Sequence, residues 1–151
     1  MGGAVFCGVT EESSRWLDLV SQMLVAVMEE APLHEITAGA VDHGGPEGQV
    51  VHGPWSAAEC QSVLRPWMAA GWIELIADVE PVWALSPADW QTRARGDGRF
   101  LVLSPPDATR LLNDPSRWVL GTADGHVMLC RTDAGQERGF ADWLELARRS
   151  R

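Results

Sequence analysis

Three observations predict an α+β fold for this chain of 151 residues. Apolar residues recur at three- and four-residue spacing over Ser14–Glu30 and again over Ser56–Gly71, the period of helices that face a core. Short apolar runs rich in Trp, Ile and Val, Trp72–Ala77 and Pro81–Leu85, follow as strands. An Asp124-Gly125 turn signal and an amphipathic segment then close the chain. Hydrophobic residues make up 46% of the total, enough to build one domain or two small ones packed together.

The first helix carries Trp16, Leu19, Val20, Met23, Leu24, Val27 and Met28 on one stripe. Leu17 and Val25 widen the stripe, which predicts cover on more than one side. Pro32 ends the helix, because the residue before a proline avoids helical backbone. Leu33–Val41 is expected as a short second helix, and the Gly- and Pro-rich His43–Pro54 segment as a loop.

Ser56 and Glu59 then form a capping box, in which hydroxyl and carboxylate each satisfy a free amide of the first turn. Cys60, Val63, Leu64, Trp67 and Met68 make the buried stripe of this helix, and Gly71 stops it. Pro66 removes one backbone hydrogen bond and is expected to bend or split the element. The two strands that follow are expected to join through a tight acidic turn at Asp78, Val79 and Glu80.

LSPAD at Leu85–Asp89 recurs as LSPPD at Leu103–Asp107, each with Ser as N-cap, Pro at the first helical position and Asp at the third. Arg93–Arg99 between them reads as a polar loop. A short helix is expected over Ala108–Asn113, then a hairpin of Arg117–Thr122 with His126–Arg131. The terminal helix buries Phe140, Trp143, Leu144 and Ala147 and ends in Arg148, Arg149 and Arg151, which suit the negative end of its dipole. The expected division is residues 1–91 and a small α+β region, 92–151, packed on them, or one continuous domain.

Leu64, Gly71, Trp72, Ile73 and Glu74, followed by Trp83, Ala84, Leu85, Ser86 and Pro87, carry a resemblance. A helix that stops at Gly and runs into Gly-aromatic-Ile-Glu, with a strand returning as aromatic-x-Leu-Ser-Pro, resembles the winged helix-turn-helix superfamily. The match is close over about a quarter of the chain and extends to roughly half with the first two helices. It implies a winged-helix-like N-terminal half and a DNA-binding regulator whose recognition helix enters the major groove. The outward positions on the corresponding helix are Glu59, Gln61, Ser62 and Arg65.

Charge points to a different partner. Residues 1–91 hold 13 Asp or Glu against Arg15 and Arg65, a formal charge of −11, whereas residues 92–151 hold ten Arg and eight acids. DNA affinity rests on neutralising phosphates, and the N-terminal half has almost nothing to do it with. All 12 basic residues are Arg and there is no Tyr. Schiff-base lysine, phosphate-loop lysine and tyrosine acid-base chemistry are therefore excluded. Cys7, Cys60 and Cys130 make no CxxC pair and read as a reduced, cytoplasmic set. His34, His43, His52 and His126 show no rigid ligand spacing, so neither metal nor cofactor is expected. No apolar run is long enough to cross a bilayer.

The function expected is therefore non-enzymatic protein binding in a bacterial cytosol, of inhibitor or immunity type, against a basic partner. The candidate contacts are Asp42, Glu47, Glu74, Asp78 and Glu80. The first alternative is a winged-helix transcriptional regulator, with Arg93, Arg95 and Arg99 as nucleic-acid contacts. The second is a small-molecule site lined by some of the eight tryptophans.

Overall fold

The computed structural model describes residues 3–46, 48–78, 92–95 and 100–151, with backbone alone for 3–13 and 92–95. Its fold is α+β, with helices packed on a four-stranded antiparallel sheet and a two-stranded arm standing apart.

Helix α1 (Gly3–Met28) begins well before the expected Ser14. Leu19, Val20, Met23 and Val27 bury one face, but Leu17 and Val25 are 39% and 42% exposed, so cover on more than one side is not found. The chain reverses through Glu30, which takes a left-handed φ of 55°. Only one 3-10 turn, Leu33–Glu35, forms where a second helix was expected. Gly39, at φ 76°, then breaks the helical path. Strands β1 (Ala40–Gly45) and β2 (Gly48–His52) follow and pair antiparallel, Val41 opposite Val51 and Asp42 opposite Val50. The expected loop is therefore largely a hairpin. Val41, Val50 and Val51 favour strand on either side of the Gly-rich centre, which supplies the turn.

Helix α2 (Ala57–Ala69) opens on the expected capping box and remains one element through Pro66. Val63, Leu64 and Trp67 are fully buried on both sides of the proline, and this packing outweighs one lost hydrogen bond. Gly71 closes the helix at φ 76°, with Trp72 N donating to the Trp67 carbonyl and Gly71 N to that of Met68.

Strand β3 (Ile73–Asp78) follows directly. The acidic turn, the strand at Pro81–Leu85 and the first LSPAD cap lie outside the described residues. Strand β4 (Thr92–Arg95) takes up the first residues of the expected Arg93–Arg99 loop and pairs with β5 (Phe100–Leu103). Ser104 and Pro105 start α3 (Pro105–Leu112) as their motif predicts. Strand β6 (Met128–Arg131) completes the sheet in the order β4-β5-β3-β6.

No hairpin forms about Asp124-Gly125, which instead lie in a 3-10 turn, Asp124–His126. Strand β6 has no edge to offer Arg117–Thr122. One edge pairs with β3, and the other bonds the Ala31–Leu33 segment through Leu129 N to Ala31 O and Leu33 N to Val127 O. The antiparallel neighbours found in residues 92–151 are β4 and β5, which were not the expected pair. After β6 come a short helix that was not anticipated, α4 (Asp133–Gln136), and α5 (Phe140–Arg149). Helix α5 buries Trp143 and Ala147 but leaves Phe140 exposed.

The main core runs from Leu19 to Ala147 and crosses the 91/92 boundary. Helix α2 sits at its centre, touched by α1, α3, α5 and β3. Ile73, Leu75 and Ala77 turn one face of β3 into this core, while Ile76 joins Val102 and Cys130 in a smaller cluster on the other face.

Candidate functional site

The most connected polar constellation lies where the arm meets α1. Asp42 and His52 are diagonal neighbours on one face of the arm, because Asp42 pairs with Val50, two residues before His52. Asp18 projects toward them from α1. His52 Nδ1 lies 2.7 Å from Asp18 Oδ1, and Nε2 lies 2.9 Å from Asp42 Oδ2.

Ionised carboxylates only accept hydrogen bonds, so both ring nitrogens must donate, and this arrangement selects the imidazolium. The hydrogen bond to Asp42, then that to Asp18, raises the His52 pKa above its ordinary 6.5, and partial desolvation opposes them. With both nitrogens engaged, His52 is a charged tie and not a free acid-base group.

The adjoining charges are organised by the start of α2. Glu59 reaches the Ser56 amide at 3.0 Å and receives Arg15 at 3.1 Å. The Ser56 amide chiefly, with help from Arg15, holds the Glu59 carboxyl below the usual range. Arg15 also lies over the Trp55 ring, 4.9 Å from its centroid. Trp55 is buried, and its Nε1 finds no acceptor among the described residues. On its other side Trp55 lines a groove of about 280 Å³ with Val25, Ala26, Ile36, Glu29 and Glu35. A larger, open groove of about 450 Å³ runs along the sheet between Met68, Ile73, Leu103 and Ala108, with Glu74 and Thr132 at its edge.

Two of the other three histidines, His34 and His126, make a different pair. His34 and His126 rings sit 4.7 Å apart, and His126 Nε2 accepts from the Gly121 amide at 3.2 Å. Burial first, and then the neighbouring His34, lower the His126 pKa. No cluster of three or more His, Cys, Asp or Glu suited to a metal occurs among the described residues. Cys60 is buried against the Ile36 carbonyl, and burial pushes its thiol up to about 12, so it is inert.

The structure divides the expected contact residues between two sheets. Asp42 stands on the arm, its side chain 74% exposed. Glu74 and Asp78 share the β3 face that carries Ile76, Glu74 half-buried and Asp78 exposed. Arg93 and Arg95 lie on the edge strand β4, opposite Val102 and Phe100. Glu47, Glu80 and Arg99 fall outside the described residues. Sequence reasoning missed the meeting of Asp18 and His52, since it placed His52 in a loop. The signal was present in Ala40–Asp42 and Val50–His52, strand-like runs on either side of a Gly-rich turn.

No known protein family, curated protein or solved structure matches the chain.

Proposed function

We propose that this chain is a non-enzymatic protein-binding module that presents carboxylates to a basic partner, in the manner of an inhibitor or immunity protein. One observation carries the reading: many positive side chains are engaged internally while carboxylates remain outward. Arg15 pairs with Glu59, Arg65 with Asn113, Arg110 with Asp107, Arg117 with Asp124 and Arg148 with Glu145, while Arg138 stacks on Trp72. Glu29, Glu35, Asp78, Asp133 and Glu137 are exposed and make no ion pair with the described residues. Such an imbalance steers a cationic protein toward the surface and repels phosphate backbones.

The winged-helix regulator is the second reading, favoured by the run of α2 through Gly71 into β3. Its outward helical face supports it less, since the exposed positions are Ala58, Ser62, Arg65 and Ala69. Base reading uses long polar side chains on such a face, and Arg65 alone fits that description. A small-molecule site is a third reading, resting on the groove beside Trp55.

The test is a binding panel of small basic nucleases and duplex DNA at low and moderate salt. The expected result is capture of a nuclease with an association rate that falls steeply with salt, and no retardation of DNA. Salt-insensitive binding to every basic protein, or a DNA shift at moderate salt, overturns the reading.

A further inference from the structure

The arm is joined to the body in an unusual way. Among the described residues, every arm position but His52 is exposed. Its two ends pass through a neck of glycines, Gly39 at φ 76° and Gly53 at φ 79°. These approach so closely that a Cβ on Gly39 would stand 2.2 Å from the His52 carbonyl oxygen. Positive φ confines this closely packed neck to glycine, and the side-chain tie between arm and body is His52, held by Asp18 of α1 on one ring nitrogen and by Asp42 of β1 on the other.

We propose that Asp18 and Asp42 form a clasp for a single cation, filled by protonated His52 in the free protein, so that the arm is tied down at low pH and freed as pH rises. Losing the proton leaves the ring one donor and one lone pair. One carboxylate then faces a lone pair, its hydrogen bond is lost, and the two carboxylates stand close with no cation between them. Both effects favour opening.

The charged groups that act on His52 are Asp18 from α1 and Asp42 from β1. Arg15 is turned away to Glu59 and the Pro54 carbonyl, so it does not substitute for the imidazolium.

The clasp stands on this geometry alone. Its use in capture rests on the protein-binding reading above. An arginine of a basic partner carries the same charge and offers paired N–H donors that can span both carboxylates. Proton and partner therefore compete for Asp18 and Asp42. Val41 and Val51, paired across the opposite face of the arm, are exposed already and move with it. Partner binding accordingly strengthens as His52 loses its proton.

Nuclear magnetic resonance of the whole chain tests the clasp. The expected outcome is a His52 ring with both nitrogens protonated and a midpoint above 6.5, which Asp18→Asn and Asp42→Asn each lower. The amides of Val41, Val50 and Val51 should shift with that same midpoint and cease to do so in His52→Gln. A His52 midpoint at or below 6.5 in the unmodified chain, or valine amides that ignore it, overturns the clasp. Capture is tested separately with a short Arg-rich peptide, whose affinity should fall about tenfold per pH unit below the midpoint and lose that dependence in Asp42→Asn. A peptide that fails to bind while His52 titrates as described overturns the capture role and leaves the clasp standing.

Discussion

Trp67 Nε1 donates a 2.9 Å hydrogen bond to the main-chain carbonyl of Trp143, 76 positions along the chain. The two indoles also meet edge to face, 4.9 Å between centroids, and Trp72 packs on Trp143 in the same manner at 5.3 Å. This cluster ties α2 to α5 and so fastens the end of the chain to its centre. Trp67→Phe keeps most of the ring but removes the Nε1 donor, while the Trp143 carbonyl keeps its place in the α5 ladder, and should cost about 0.5–1.5 kcal/mol. Trp143→Ala removes the hub and should cost about 3–5 kcal/mol. Urea denaturation followed by far-ultraviolet circular dichroism measures both. Equal costs for the two variants would show that the aromatic packing of Trp143 contributes no more than this one hydrogen bond.

Stability should depend on pH in two separate windows. The folded pKa of His52 is raised, so its contribution is complete below 6.5 and is lost as pH climbs through the folded value. The folded pKa of His126 is lowered, so the folded state is penalised as pH drops from 6.5 toward that value. The thermal midpoint should therefore decline on both sides of pH 6.5. His52→Gln should flatten the alkaline decline and His126→Gln the acid one near neutrality. Scanning calorimetry across pH 5–8 in one buffer series checks the pair, and an alkaline decline that persists in His52→Gln would contradict the assignment.

Elements set by local chemistry were legible in the sequence. The Ser56/Glu59 box, the Gly71 stop and the Ser104-Pro105 start each depend on residues within a few positions of one another. What was not legible depended on distant partners. Asp124-Gly125 carries a sound turn signal, yet β6 had already given its edges to β3 and to Ala31–Leu33. Thr92–Arg95 becomes a strand because Phe100–Leu103 lies beside it, which no periodicity within four residues can reveal. The clasp was hidden for the same reason: Asp18 and His52 are 34 positions apart and meet only once the arm is folded against α1.

The capping box supplies a test of purely local energetics. Ser56 Oγ accepts from the Glu59 amide at 3.0 Å, and the Glu59 carboxylate returns the favour at the Ser56 amide. Ser56→Ala should cost about 1 kcal/mol. Because the folded Glu59 pKa is depressed, its contribution is present above the ordinary 4.5 and vanishes as pH falls through the folded value. Glu59→Gln should therefore reduce stability at pH 7 and make little difference at the acid end of the titration. A deficit that stays constant down to low pH would assign the Glu59 effect to packing.

Two glycines separate backbone freedom from space. Gly71 adopts φ 76°, and a Cβ there would meet nothing within 4 Å. Gly71→Ala should thus incur only the left-handed penalty, about 1–2 kcal/mol, and Gly71→Asn less, since asparagine tolerates that region. Gly125 has no such φ, but its Cβ would stand 2.0 Å from the Val119 carbonyl oxygen and 2.7 Å from the Val119 nitrogen. Those atoms are backbone, so relief requires moving the turn that carries Arg117 against Asp124 and places His126 on Gly121. Gly125→Ala should cost about 3 kcal/mol or more, and Gly125→Asn more again. Denaturation midpoints of the four variants decide the matter: asparagine should rescue at position 71 and aggravate at position 125. The same order at both sites would mean that one of the two turns is not packed as described.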